Sequence, residues 1–161
     1  MRGAITARRR PYIRGMDVLA IAAFIVLVLP LSILVHEAGH AAAMRALGER
    51  GEIVISLGAR AGSGRGFRYC GFTLRFGLAP LAYAHSSQAA DRTPAKQLAV
   101  SLAGPGANIA LGAICLACPA GGLLALFGWV QLVGGAAHLA LRSDGRRALR
   151  AYRAWREQAR G

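Results

Sequence analysis

The chain has 161 residues, of which 55% are hydrophobic, and a formal net charge of +13. This length fits one compact domain over residues 1–161. The positive charge alone would suit nucleic-acid binding, but the sequence contains no recognisable nucleic-acid-binding module. The basic residues instead flank two long uncharged apolar runs, as they do in membrane proteins. We therefore expect a membrane protein and no nucleic-acid partner.

Helix 1 is predicted from the first apolar run, which extends over residues 18–35. Eighteen helical residues span about 27 Å, close to the hydrocarbon thickness of a bilayer. The run is longer than the apolar part of a signal peptide, so we expect it to remain in the protein. We predict a helix over about 18–47 that Gly48 and Gly51 end.

A stretch of different composition follows helix 1. Residues 51–86 contain short segments of β-branched and aromatic residues, separated by Gly-rich turns such as the one at 62–66. This pattern predicts a small membrane-associated β-hairpin or meander.

The second uncharged run covers residues 97–141 and is long enough for two membrane spans. Turn-forming residues at 118–122 divide it into helix 2, over about 97–117, and helix 3, over about 121–141. The predicted fold is a mainly α membrane protein with three transmembrane helices and a small sheet between helices 1 and 2.

A basic tail covers residues 144–161. Leu149, Tyr152 and Trp155 would share one helical face there, with arginines around the rest. Such a helix suits an anionic membrane surface, and a solvated helix end fits the pattern equally well.

The distribution of charge predicts the orientation in the membrane. With three spans, the loop at 45–96 and the basic tail lie on one side, and together with Arg142 they hold fifteen of the twenty basic residues. Since basic segments stay in the cytoplasm, we expect an integral multi-pass protein of a bacterial inner membrane with these segments in the cytoplasm. The five arginines of the N-terminal tail oppose this orientation.

The motif His36-Glu37-Ala38-Gly39-His40 lies at the cytoplasmic end of helix 1. Its two histidines would project from one helical face, about 6 Å apart at the backbone, so that both can bind one zinc ion. Glu37 would lie beside the ion, where it can take a proton from water that the metal acidifies. We therefore predict one zinc ion per chain, with His36 and His40 as ligands and Glu37 as the general base.

A catalytic zinc ion needs a third protein ligand. Asp144 follows helix 3 directly, and three spans place it at the same membrane face as the two histidines. We predict Asp144 as this ligand, with His138 as the second choice. The fourth histidine, His85, lies in the β-rich stretch. An Asp-Gly turn alone would also explain Asp144.

Asn108 is an amide within the apolar run of helix 2, in the segment Ala103-Gly104-Pro105-Gly106-Ala107-Asn108. Small residues permit close helix packing, and an amide in an apolar span needs a partner. Asn108 can bind a substrate carbonyl or a developing oxyanion, or it can join two helices.

Taken together, these residues resemble the site-2 protease family of intramembrane zinc metalloproteases. HEAGH at 36–40 matches the family's His-Glu-x-x-His, AGPGAN at 103–108 is similar to its Gly-Pro-x-x-Asn, and Asp144-Gly145 is similar to the end of its Asn-Pro-Asp-Gly. The resemblance covers about residues 18–150. Arg142-Ser143 departs from the family pattern, since Asn-Pro stands there in the family.

The resemblance implies a minimal, core-only zinc endopeptidase that cuts membrane proteins in or near their transmembrane segments. Zinc would be held by His36, His40 and Asp144, with Glu37 as the base and Asn108 as a substrate or oxyanion contact. Its partners would be a transmembrane substrate and the lipid bilayer, with the active site toward the cytoplasmic face. The sequence leaves the oligomeric state open.

The β-rich stretch resembles the family's membrane-associated sheet, and it suggests a way to hold substrate. An unwound substrate segment could pair with this sheet, and proline substitutions along 53–57 or 72–76 would then impair cleavage more than zinc binding.

Two other classes of function remain as alternatives. A catalytically silent scaffold or adaptor could retain the zinc-binding core, but a structural zinc site has no need of Glu37. A metal transporter or sensor would need further ligands along the helices, and helices 2 and 3 offer almost none.

Overall fold

The computed structural model describes residues 15–58, 65–77, 82–119, 122–141 and 143–160. Four features named above lie outside the described residues: most of the N-terminal basic tail, the centre of the Gly-rich turn at 62–64, the turn residues 120–121, and Arg142.

The described chain is mainly helical. Its helices are α1 (Gly15–Ala46), α2 (Pro94–Ala117), α3 (Leu123–Leu141) and α4 (Ser143–Gln158). Three segments are long and apolar enough to cross a membrane: Phe24–Ala46, Pro94–Ala117 and Leu123–Ala140. The predicted fold class, with three transmembrane helices, is therefore confirmed.

The end of α1 follows the prediction from Gly48. The backbone N–H of Glu49 bonds to the carbonyl of Met44, and that of Gly48 bonds to the carbonyl of Arg45. Gly48 has a φ of 90°, which glycine adopts without the steric cost of a side chain. These bonds form a Schellman motif, which satisfies the last helical carbonyls.

The start of α2 lies three residues before the predicted residue 97. The side chain of Thr93 accepts a hydrogen bond from the backbone N–H of Lys96, and Pro94 occupies the first helical position. Both are standard features of a helix start. Hydrophobicity alone placed the boundary too late because this cap is polar.

Residues 53–86 form a four-stranded sheet, with strands β1 (Ile53–Leu57), β2 (Arg65–Tyr69), β3 (Phe72–Phe76) and β4 (Ala82–Ser86). The strand order is β2-β3-β1-β4. β1 pairs with β3 in parallel and with β4 antiparallel. The predicted sheet between helices 1 and 2 is confirmed, and β2 and β3 form a hairpin within it. The strand order is not that of a meander, because β1 lies between two strands that follow it.

The hairpin of β2 and β3 turns at Cys70 and Gly71, which both have positive φ, 48° and 79°. Positive φ at both central residues is the geometry of a type I′ turn, whose twist matches that of the flanking strands. Cysteine is not a usual residue at the first central position of such a turn, where asparagine, aspartate or glycine is preferred.

One face of the sheet packs against the C-terminal end of α1. Ile53 and Ile55 lie in a buried cluster with Ala41 and Met44 of α1 and Val100 of α2. Alternation along the strands places β-branched residues on this face. The core thus fixes the sheet beside the His-Glu-x-x-His segment.

Helix α4 packs chiefly on α2, and Ala148 and Ala151 on it are buried. Leu149, Tyr152 and Trp155 are 49%, 40% and 45% exposed. The basic tail of the sequence prediction is therefore largely a helix with an alanine face toward the protein and an aromatic face away from it.

Candidate metal centre

Two histidine side chains from α1 converge at the centre of the site. His36 and His40 are 2% and 8% exposed, and their Nε2 atoms lie 3.2 Å apart. This proximity follows from local helix geometry, since residues four apart project from the same face.

The carbonyl of Val100 on α2 orients the second histidine. His40 Nδ1 donates a hydrogen bond to that oxygen over 2.6 Å. In the neutral imidazole, a proton on Nδ1 leaves Nε2 with its lone pair free. An outer partner of this type is typical of zinc-binding histidines.

Glycine in α2 makes this contact possible. A Cβ atom at Gly104 would collide with the imidazole of His40. Similarly, a Cβ at Gly39 would lie 2.6 Å from the carbonyl oxygen of Ala103. Close approach of α1 and α2 therefore depends on small residues from both motifs, HEAGH and AGPGAN.

Asp144 completes the group from the far end of the chain. It lies in the first turn of α4, rather than in a turn after helix 3, and its side chain is 10% exposed. Its Oδ2 is 3.2 Å from His36 Nε2, and its Oδ1 is 3.8 Å from His40 Nε2. The structure thus brings together the three predicted ligands.

The group fits a zinc ion. One ligand atom from each of His36, His40 and Asp144 lies within 4.8 Å of the others. Zinc–ligand bonds of about 2.0–2.1 Å in a tetrahedral site place ligand atoms about 3.3 Å apart. The two shortest separations, 3.2 Å each, are close to this value, so small movements would suffice to bind the ion.

The surroundings of Asp144 favour its ionised form, which a metal ligand needs. Burial works to raise the pKa of this carboxyl, but the hydrogen bond with His36, the nearby His40 and the hydrogen bond with His138 outweigh burial and lower it to about 2.

The two other histidines occupy different positions. His138 Nδ1 lies 3.3 Å from Asp144 Oδ2, and its ring centroid is 4.0 Å from that of His36. His138 is therefore a neighbour of Asp144 and stands outside the three-residue group. His85 is exposed on β4, and it does not belong to the group either.

Glu37 is 7% exposed and lies next to the two histidines. The backbone N–H of Ala84 on β4 hydrogen-bonds to its carboxylate. Glu37 lines the cavity of about 180 Å³ that also contains His36, His40 and Asp144. Its position matches the predicted one, beside the metal-binding group.

Asn108 lies deeper in the membrane-spanning part of the protein and is 2% exposed. It lines a second cavity, of about 630 Å³, which also touches His36 and Glu37. Among the described residues, its Oδ1 has no hydrogen-bond partner. The structure thus leaves an amide available at the edge of the site.

Sequence reasoning missed a buried polar pair between α1 and α3. Ser32 Oγ donates to Gln131 Oε1 over 3.1 Å, and Gln131 is fully buried. The signal was present, because a glutamine inside an apolar span needs a partner.

Fold and site together define a mainly helical membrane protein with a His-His-Asp group suited to a metal ion. The family model described as "Peptidase family M50" matches residues 23–141, most of the chain. The protein therefore belongs to peptidase family M50, the family of the site-2 proteases. Comparisons with curated proteins and with solved structures found no match. Because the family match ends before Asp144, the assignment of this residue rests on geometry.

Proposed function

We propose that the protein is an intramembrane zinc metalloprotease that hydrolyses peptide bonds in or near the transmembrane segments of membrane proteins. One observation supports this most strongly: the three candidate ligand atoms lie within 4.8 Å of one another, with Glu37 on the wall of the same cavity. Family membership supports the same chemistry, because M50 peptidases are zinc metalloproteases.

His36, His40 and Asp144 would hold the ion. When bound, zinc acts as a Lewis acid that lowers the pKa of water and polarises a carbonyl group. Glu37 accepts the proton of the attacking water and delivers it to the leaving amide nitrogen. Its burial excludes competing bulk water, which strengthens each charge interaction in the site.

Asn108 would bind the substrate backbone beside the scissile bond. Its unpaired Oδ1 can accept from a substrate N–H. Rotation of the amide exchanges Oδ1 and Nδ2, so the same side chain can also donate to a developing oxyanion.

Strand β4 would hold the unwound substrate. The sheet order makes β2 and β4 the edges, whereas 53–57 and 72–76 are the inner strands β1 and β3. The proline test that the sequence suggested therefore belongs on β4, where Ala82, Tyr83 and Ala84 line the metal cavity. An edge strand can bind an extended peptide through those outward backbone groups that have no partner in the protein; on β4, the N–H of Ala84 already bonds to Glu37.

The membrane setting is part of the proposal. Three apolar helices support an integral protein, and the excess of basic residues in the loop and the C-terminal region supports a cytoplasmic active site in a bacterial inner membrane. The aromatic face of α4 would contact the lipid surface, because tyrosine and tryptophan favour the interface.

The test compares wild type with Glu37→Gln and His36→Ala, each purified in detergent. Zinc content per chain and cleavage of a transmembrane-helix reporter are measured for all three. We expect wild type to bind about one zinc and cut, and Glu37→Gln to keep zinc with a rate lower by about 10²–10⁴, as for loss of a general base. His36→Ala should lose both.

Two results would contradict the proposal. A wild-type chain without zinc would exclude a metalloprotease. A chain that binds zinc and cuts none of a panel of membrane helices would instead be the catalytically silent scaffold.

A further inference from the structure

A third cavity, of about 900 Å³, adjoins the metal cavity on the side away from Asn108. We call it the basic cavity, after the arginines among its lining residues, which are Arg75, Arg92, Arg147 and Arg150.

The three cavities follow one another along strand β4. Ala82 lines the membrane-side cavity of Asn108 and the metal cavity, whereas Tyr83 and Ala84 line the metal cavity and the basic cavity. His85 lines the basic cavity alone of the three. An extended chain paired with β4 through the metal site therefore continues into the basic cavity.

The walls of the basic cavity present positive charge from two directions. Arg75 comes from β3, and Arg147 and Arg150 come from α4. The described residues that line the cavity include no carboxylate. Arg92 is not available to a ligand in the same way, because its Nε already forms an ion pair with Glu49 Oε1 at 2.6 Å.

The three other arginines are available to a ligand. No carboxylate of the described chain lies within 4.0 Å of Arg75, Arg147 or Arg150. Two carboxylates outside the cavity lining interact electrostatically with these arginines: the exposed Glu52 with Arg75, and Glu37 of the metal cavity with Arg147. Guanidinium groups bind carboxylates through paired, charge-assisted hydrogen bonds.

We propose that the basic cavity binds an acidic segment of the substrate, Asp- or Glu-rich, on the side of the scissile bond that leaves the membrane. This inference rests on the proposed protease function and adds a substrate preference to it. A peptide is favoured over a lipid headgroup because the cavity shares Tyr83, Ala84, Gln97 and Arg147 with the metal cavity, so one continuous chain can occupy both.

The acidic flank should strengthen substrate binding and leave the chemical step unchanged. Arg75 and Arg150 line the basic cavity and lie outside the set that lines the metal cavity. Because the cavity is open to solvent, salt screens these contacts. We expect an acidic flank to improve kcat/KM by about fivefold to tenfold, mainly through KM, and this gain to shrink at high ionic strength.

The experiment uses one transmembrane reporter with three alternative flanks: acidic, neutral amide and lysine. The full chain is assayed in non-ionic detergent, in phosphatidylcholine vesicles and in vesicles with phosphatidylglycerol. The variants are wild type, Arg75→Gln/Arg150→Gln, and the control Arg153→Gln, which removes an exposed α4 arginine outside the cavity lining.

We expect wild type and Arg153→Gln to prefer the acidic flank in detergent, and the double variant to lose that preference while it cuts the neutral reporter at the wild-type rate. Arg150→Glu should shift the preference toward the lysine flank. Equal cleavage of all flanks by wild type, or an acidic preference that the double variant retains, would overturn the inference. So would a dependence on anionic vesicles without any dependence on the flank, which would identify a lipid as the occupant.

A binding measurement separates this inference from the protease proposal. Fluorescent peptides with acidic or neutral flanks are titrated onto Glu37→Gln, with and without the two arginine substitutions. Tighter binding of the acidic peptide that depends on Arg75 and Arg150 supports the inference even if wild type cuts nothing. Equal affinity of the two peptides refutes it even if wild type cuts both.

Discussion

The two halves of the metal centre are built in different ways. His36 and His40 stand one turn apart on α1, so local helix geometry brings their Nε2 atoms to 3.2 Å. Asp144 is separated from His36 by 108 positions. It reaches the pair because α3 returns across the membrane and α4 begins at the right depth. A helical motif can thus supply two ligands by itself, whereas the third depends on the packing of the whole bundle.

The packing of the helices that brings Asp144 to the site also orients the histidine ligands on α1. The carbonyl of Val100 on α2 fixes the proton of His40, and Gly39 and Gly104 allow the helices to approach that closely. The local half of the site is therefore complete only in the folded bundle.

The largest effect should come from Asp144→Ala. If Asp144 is a zinc ligand, its loss should weaken zinc binding by at least about a hundredfold, which is more than the loss of an outer hydrogen-bond partner of a ligand would cause. The loss of affinity should equal that of His40→Ala. Zinc affinity measured by competition with a chelator checks this.

The matched control is Glu157→Ala, which removes an exposed carboxylate from the same helix and should leave the affinity unchanged. Full zinc affinity in Asp144→Ala would identify Asp144 as a structural residue and return His138 to candidacy as the ligand.

Gly39→Ala should produce the next effect, by separating α1 from α2. The added methyl group would lie 2.6 Å from the carbonyl oxygen of Ala103 and 2.7 Å from Ala107 Cβ, so the helices must move apart at a cost of about 2 kcal/mol. The thermal unfolding midpoint in detergent should fall.

Gly106→Ala is the control for this substitution, because a Cβ at Gly106 meets nothing within 4 Å. It should be neutral or slightly stabilising, since alanine favours a helix more than glycine does. Similar destabilisation of both variants would show that the cost arises from helix propensity or lipid contacts and not from the close approach.

Glu49→Gln should have the smallest effect, and one that depends on pH. Glu49 and Arg92 join the end of α1 to the segment before α2, and both side chains are buried. Burial works to raise the pKa of Glu49, but hydrogen bonds with Arg92 and Ser86 outweigh it and lower the pKa below 4.5. The ionised pair should contribute about 1 kcal/mol near neutral pH.

The sign of the pH dependence follows from this lowered pKa. The contribution of Glu49 is fully present above the ordinary pKa of 4.5, and it is lost as the pH falls through the lower value of the folded state. The free energies of unfolding of wild type and Glu49→Gln should therefore differ most near pH 7 and become equal in acid. Urea titrations at several pH values would measure this. If the difference in free energy of unfolding were independent of pH, the substitution would have removed packing and not a charge interaction. The control Glu157→Gln should have the same free energy of unfolding as wild type at every pH.

The sequence by itself determined the membrane spans, the presence of a sheet and the local half of the metal centre. Long uncharged runs define spans because the bilayer excludes charge, and the spacing of His36 and His40 defines a face because the helix repeats every 3.6 residues. Even Asp144 was predictable as a candidate, because three spans return the chain to the face of the histidines.

Only the tertiary structure decided which groups meet. It distinguished Asp144 from His138 as the candidate ligand. It also ordered the strands of the predicted β region with β4 at an edge, and brought Arg75 and Arg150 to the lining of one cavity. The physical reason is that hydrophobic patterns specify which faces are buried, whereas distances between residues far apart in the chain depend on side-chain volumes, glycine contacts and backbone hydrogen bonds that exist only when the helices and sheet are packed.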